Sequence, residues 1–108
     1  MTGGSGVNRG ERIIVHVDEE LEDLIPDFLE NRHEDFKSIR KSLAKSDYET
    51  ICCLGHSMKG CGGGYGFDMI TDIGGSMEMA AKNEDAGEVR KLLEELEYLL
   101  GHVEVVFE

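Results

Sequence analysis

The sequence predicts an all-α fold, an antiparallel four-helix bundle preceded by a short extended segment. Apolar residues recur at steps of three and four along four successive stretches, the spacing that places them on one face of a helix. The links between these stretches are short, which favours antiparallel neighbours. With 108 residues, of which 40% are hydrophobic, the chain has the size and the apolar content of one domain.

The first part of the chain is predicted to be irregular and then extended. Residues 1–11 are rich in glycine and poor in large apolar residues, so we expect a disordered tail there and a single domain over 12–108. Ile13, Val15 and Val17 recur at every second residue, which is typical of a short extended segment. Pro26 fits the first turn of the main helix, so a short turn over 19–24, begun by Asp18, is predicted to lead into it.

Each of the four helices is predicted from an apolar stripe of its own. The stripes are Leu29, His33, Phe36, Ile39 and Leu43; Ile51, Leu54, Met58, Cys61 and Tyr65; Phe67, Ile70, Ile73, Met77 and Ala80 or Ala81; and Val89, Leu92, Leu93, Leu96, Leu99, Leu100 and Val103. Asp47 is predicted to cap the second helix and Asn83 the fourth, and His33 to be a half-buried packing residue. The tail over 102–108 either prolongs the last helix or pairs with 12–17, and both alternatives stay open.

Charge and composition exclude several classes of function. A net charge of −12 disfavours binding to nucleic acid and to anionic membranes. No apolar run is long enough to cross a bilayer and no export signal opens the chain, so we expect a cytoplasmic protein. We expect the three cysteines to be free thiols and we expect no cofactor. We also expect no metal, because Cys52, Cys53 and Cys61 contain no Cys-x-x-Cys pair and, with His56, lack a convergent fourth ligand.

The informative residues lie on the face of the second helix opposite its apolar stripe. At 100° per residue, His56 lies about 160° from Leu54 and Met58, so its side chain is predicted to face solvent. Lys59, Gly60 and Gly63 follow on the same side at i+3, i+4 and i+7. Glycine in a helix interior costs on the order of 1 kcal/mol relative to alanine, and a compensating gain is that another protein can approach the imidazole closely.

This arrangement suits a phosphoryl carrier. A neutral imidazole nitrogen can attack phosphorus, and a lysine one turn away offsets part of the charge of the phosphoryl group. No general base is expected nearby, so a partner has to supply the catalytic groups. A phosphate-binding P-loop is disfavoured because its lysine follows the glycines and precedes Ser or Thr, whereas Lys59 precedes the glycines.

The segment from His56 to Gly66, HSMKGCGGGYG, resembles the signature of histidine-containing phosphotransfer (HPt) domains. In that family the phosphorylated His is followed by Lys at i+3, Gly at i+4, small residues, and Gly at i+10. Residues 77–80, MEMA, resemble the Leu-Glu-x-Ala pattern of the family's next helix, and the resemblance extends over 18–103. The residues at 61, 62, 64 and 65 differ from those commonest in the family, but the first three are still small and the last is still apolar.

The resemblance implies a four-helix bundle that shuttles phosphoryl groups between aspartates of receiver domains in multistep two-component signalling. It implies that His56 is the phosphorylated residue, that Lys59 stabilises the phosphoryl group, and that Gly60 gives the receiver clearance; Gly63, on the same face, is assigned to receiver access too. We expect a monomeric carrier that is not an enzyme by itself. The alternative is a helical module that binds and sequesters receivers without phosphotransfer.

Four basic residues of the first helix form a second candidate surface. Lys37, Lys41 and Lys45 recur every four residues, with Arg40 among them. Such a run is typical of a solvated helix face, but a basic patch beside His56 would also help to hold an acidic receiver pocket. The sequence leaves both interpretations open.

Overall fold

A computed structural model describes residues 12–108, and the disordered tail predicted for residues 1–11 lies outside them. The elements are β1 (Ile13–Val17), a 3-10 turn (Glu19–Leu24), α1 (Ile25–Ala44), α2 (Tyr48–Gly62), a second 3-10 turn (Gly63–Tyr65), α3 (Asp68–Lys82), α4 (Ala86–His102) and β2 (Val103–Phe107). Consecutive helices pack against each other and α1 packs against α4, which closes a four-helix bundle. The predicted helical bundle is therefore confirmed.

The two ends of the domain pair as a two-stranded parallel sheet. Ile13 lies opposite Val103 and Val17 opposite Phe107, so the tail pairs with the N-terminal segment rather than prolonging α4. Val15 and Val17 are buried against the helices, which anchors β1 to the core. The sheet thus fastens the first segment of the domain to the last.

Aspartate side chains cap three of the elements. Asp18 accepts a hydrogen bond from the backbone of Glu20, and Asp47 accepts two from Thr50, which lower the pKa of the Asp47 carboxyl. The prediction that Asn83 caps the fourth helix is wrong. The backbone N–H of Asn83 still bonds to Met79 at the end of α3, and the carboxylate of Asp85 accepts from the backbone of Glu88 instead.

The core contains the predicted stripe of α3 and, except for the partly buried Leu100 and Val103, that of α4, but the stripe of α1 is displaced. The buried residues of α1 are Ile25, Phe28, Arg32, Ile39 and Ser42. Leu29, Phe36 and Leu43 are only partly buried, and His33 is exposed, so its prediction as a half-buried residue is wrong. Arg32 lies on this buried side of the helix, and its Nε donates a hydrogen bond of 2.8 Å to Asp35.

None of the helices in the described part of the chain combines the length and the apolar character needed to cross a bilayer.

Candidate functional site

His56 projects from the middle of α2 into solvent, with 73% of its side chain exposed. The residues of α2 that are buried, Ile51, Gly55, Met58 and Gly62, lie on the other side of the helix. A ring with this exposure is open to the active site of another protein.

Glu78 of α3 lies against this ring. Its Oε2 lies 3.2 Å from Nδ1 of His56 and 3.6 Å from Nζ of Lys82, and only 15% of its side chain is exposed. A carboxylate at this distance favours a proton on Nδ1, which leaves the lone pair on Nε2. Glu78 was not among the predicted site residues, although it lies in the MEMA segment that resembles the family pattern.

Lys59 is exposed and runs along the surface of α3. A Cβ placed on Gly75 would lie 3.6 Å from Cδ of Lys59 and 3.9 Å from its Cγ, so the aliphatic stem of the lysine crosses the helix at this glycine. Within residues 12–108 no carboxylate pairs with the Lys59 ammonium. This cation is therefore available to an anionic group near α2 and α3.

The glycines that follow His56 divide into open and packed positions. A Cβ on Gly60 would meet no atom within 4 Å, and one on Gly63 would make ordinary contacts of 3.6 Å with Thr71 Oγ1 and 4.0 Å with Asp68 Oδ1. A Cβ on Gly62, in contrast, would lie 2.7 Å from the backbone nitrogen of Thr71. Packing therefore requires glycine at 62, whereas at 60 and 63 the absent side chain opens the surface.

Comparison with known proteins identifies the family. The model of the Hpt domain matches residues 23–104, which include all four helices. The chain belongs to the Hpt family. Comparison with curated proteins and with solved structures gave no match. An Hpt domain is a phosphocarrier rather than a kinase, takes part in histidine phosphotransfer in phosphorelays, and interacts with receiver domains.

In this Hpt domain, α2 and α3 approach each other backbone to backbone next to the site. A Cβ on Gly55 would lie 2.7 Å from the backbone nitrogen of Glu78, and one on Gly74 would lie 2.5 Å from that of Lys59. Real side-chain carbons do not occupy such positions, so both residues have to be glycine for the helices to pack as they do. This close contact between the two helices thus lies beside His56 and Lys59.

The cysteines do not gather around the histidine. Cys61 is partly buried, and its Sγ accepts a hydrogen bond of 3.0 Å from Nη1 of Arg32. Arg32 in turn lies over the Phe28 ring and bonds to Asp35, where burial raises the pKa of the carboxyl and the nearby guanidinium partly offsets this rise. This cluster joins α1 to the end of α2 and is a packing feature of the Hpt domain.

Of the four basic residues singled out on the first helix, Arg40 lies towards α4. Arg40 lines a groove between α1 and α4, together with Phe36, Leu43 and Arg90. The contact between His56 and Glu78 joins α2 and α3, which form the other half of the bundle. Whether Lys37, Lys41 and Lys45 form a basic patch beside His56 or a solvated helix face stays a prediction.

Proposed function

We propose that this Hpt domain carries a phosphoryl group on His56 between receiver-domain aspartates in a multistep two-component phosphorelay. The observation that supports it is the pairing of an exposed imidazole with a mostly buried carboxylate, which lies 3.2 Å from Nδ1. Such pairing holds the proton on the ring nitrogen that does not react and leaves Nε2 as the nucleophile.

The chemical step follows from this arrangement. The Nε2 lone pair attacks the phosphorus of an aspartyl phosphate on the donor receiver, the P–O bond to that aspartate breaks, and the aspartate leaves as a carboxylate. The ring keeps its Nδ1 proton and gains positive charge, which the Glu78 carboxylate stabilises. In the second step an aspartate of the acceptor receiver attacks phosphorus, the P–N bond breaks, and its electron pair returns to Nε2.

We assign supporting roles to three further residues of α2 and the turn that follows it. The ammonium of Lys59, which pairs with no carboxylate of residues 12–108, stabilises the phosphoryl oxygens, and Gly60 and Gly63 let the receiver close over the ring. The domain contributes the phosphorylated histidine, and the receivers supply the remaining catalytic groups, so it is a carrier and not an enzyme by itself. We further propose that it acts as a cytoplasmic monomer that binds neither nucleic acid nor membranes, in keeping with its net charge of −12.

The test is transfer of radiolabel from a phosphorylated receiver to the wild-type domain and to His56→Gln. His33→Gln is the matched control, because His33 is also exposed but lies on α1. We expect label on the wild type and on His33→Gln alone, stable in alkali and lost in acid. Label on His56→Gln would overturn the assignment, and receivers that bind without transferring label would favour a sequestering module.

A further inference from the structure

His56 and Lys59 lie next to the place where two glycines, Gly55 of α2 and Gly74 of α3, bring the helix backbones into contact. Gly55 directly precedes His56, and a Cβ there would lie 2.7 Å from the backbone nitrogen of Glu78 and 2.8 Å from the carbonyl oxygen of Gly74. The contact therefore brings the backbone that carries the carboxylate against the backbone that carries the ring.

One turn further along α2 the same contact involves Lys59. A Cβ on Gly74 would lie 2.5 Å from the backbone nitrogen of Lys59 and 2.7 Å from the carbonyl oxygen of Gly55. All of these atoms belong to the backbone, which cannot move aside as a flexible side chain can. A single methyl group at Gly74 therefore forces the two helices apart.

We infer that Gly55 and Gly74 are positioning residues for His56, because their backbone contact sets the separation of α2 and α3 at which Glu78 reaches Nδ1. The inference rests on the proposed role of His56. It adds which residues keep Glu78 close enough to hold the ring proton on Nδ1. Nδ1 of His56 and Oε2 of Glu78 are already 3.2 Å apart. If the two helices were about 1 Å further apart, the carboxylate would no longer contact the ring.

Gly74→Ala tests this inference, and Gly75→Ala is the matched control. The control is the same change at the next residue of α3, where the new Cβ would touch only the flexible stem of Lys59 at 3.6 Å. The readout is nitrogen NMR of the neutral His56 ring. We expect the Nδ1–H tautomer to dominate in the wild type and in Gly75→Ala, and a mixture of tautomers in Gly74→Ala.

A double-mutant cycle separates positioning from general damage to the fold. We expect Gly74→Ala to slow transfer from a phosphorylated receiver by about tenfold, and to have no further effect in a Glu78→Ala background. If Gly74→Ala slows transfer equally in both backgrounds, or leaves the tautomer ratio of His56 unchanged, the inference is overturned.

A second variant keeps the test decisive if Gly74→Ala does not fold. Glu78→Asp shortens the side chain by one methylene without entering the contact between the helices, so it imitates their separation. We expect it to give the same mixture of tautomers, and a ratio like that of the wild type would overturn the inference. The NMR readout needs no phosphoryl group, so absence of label on wild-type His56 would count against the proposed function alone.

Discussion

Oε2 of Glu78 lies 3.2 Å from Nδ1 of His56, so the exposed ring of α2 is tied to a carboxylate of α3. Glu78 is mostly buried and also lies 3.6 Å from Nζ of Lys82. The same carboxylate oxygen thus lies close to both the imidazole and the Lys82 ammonium. The histidine is exposed to a partner through one part of its ring and constrained through another.

Replacing Glu78 by glutamine is expected to slow phosphotransfer without unfolding the domain. The change keeps the size of the side chain but removes the charge that stabilises the ring as phosphorus is attacked, so we expect a rate about tenfold lower. The measurement is the rate of label transfer from a phosphorylated receiver. Lys82→Met is the control, because it removes the other partner of Glu78 and leaves the carboxylate beside His56. An unchanged rate in Glu78→Gln would contradict the role of this residue.

A side chain at Gly60 is expected to block the receiver while sparing the fold. A Cβ there would meet no atom within 4 Å, and alanine favours a helix over glycine by up to about 1 kcal/mol. Gly60→Ala should therefore raise the urea midpoint of unfolding slightly, whereas Gly60→Leu should strongly reduce the rate of label transfer.

Gly101→Leu is the matched control for Gly60→Leu, because the position is equally open but lies on α4. It should transfer label at the rate of the wild type. If Gly60→Leu does so too, the clearance assigned to Gly60 is not needed.

A side chain at Gly62, unlike one at Gly60, is expected to destabilise the fold. A Cβ on this residue would lie 2.7 Å from the backbone nitrogen of Thr71 and 2.8 Å from the carbonyl oxygen of Phe67. Gly62→Ala should therefore lower the free energy of unfolding by about 1–3 kcal/mol. Gly64→Ala, where a Cβ would meet nothing within 4 Å, is the comparison in the same denaturation experiment. Equal stabilities of the two variants would refute the packing role of Gly62.

The four helices could be predicted from the sequence because their apolar residues repeat at helical spacing. The helix α3 buries its predicted stripe, and α4 buries most of its own. The stripe of α1 could not be predicted in the same way. Its core side contains Arg32, which periodicity treats as a surface residue but which is buried and bonds to Asp35. The pairing of β1 with β2 also stayed undecided, because it joins residues about 90 positions apart.

The same distinction applies to the site. The exposure of His56 follows from helical geometry within one segment, so the sequence alone predicts it. The contact with Glu78 depends on how closely α2 and α3 pack, and the glycines at 55 and 74 that control this packing have no distinctive spacing relative to the histidine. That these two positions have to be glycine becomes evident only from the contact between α2 and α3.

Removing the guanidinium of Arg32 is expected to destabilise the domain in a pH-dependent manner. Arg32 and Asp35 have side chains that are 10% and 16% exposed, and burial already raises the pKa of the Asp35 carboxyl despite the nearby cation. Arg32→Met keeps an apolar stem against Phe28 but leaves this carboxylate without a partner. We expect a loss of about 2 kcal/mol at pH 7. Without the cation the pKa of Asp35 rises further above its unfolded value, so the protonated carboxyl stabilises the folded state below the unfolded pKa and this contribution is lost as pH rises through the folded pKa. The difference in the free energy of unfolding between variant and wild type should therefore shrink when urea unfolding is repeated near pH 4.

Lys37→Met is the control for Arg32→Met, because Lys37 and its partner Glu34 are both exposed and their pair contributes little. A difference that is the same at both pH values would show that the loss comes from packing and not from the unpaired charge.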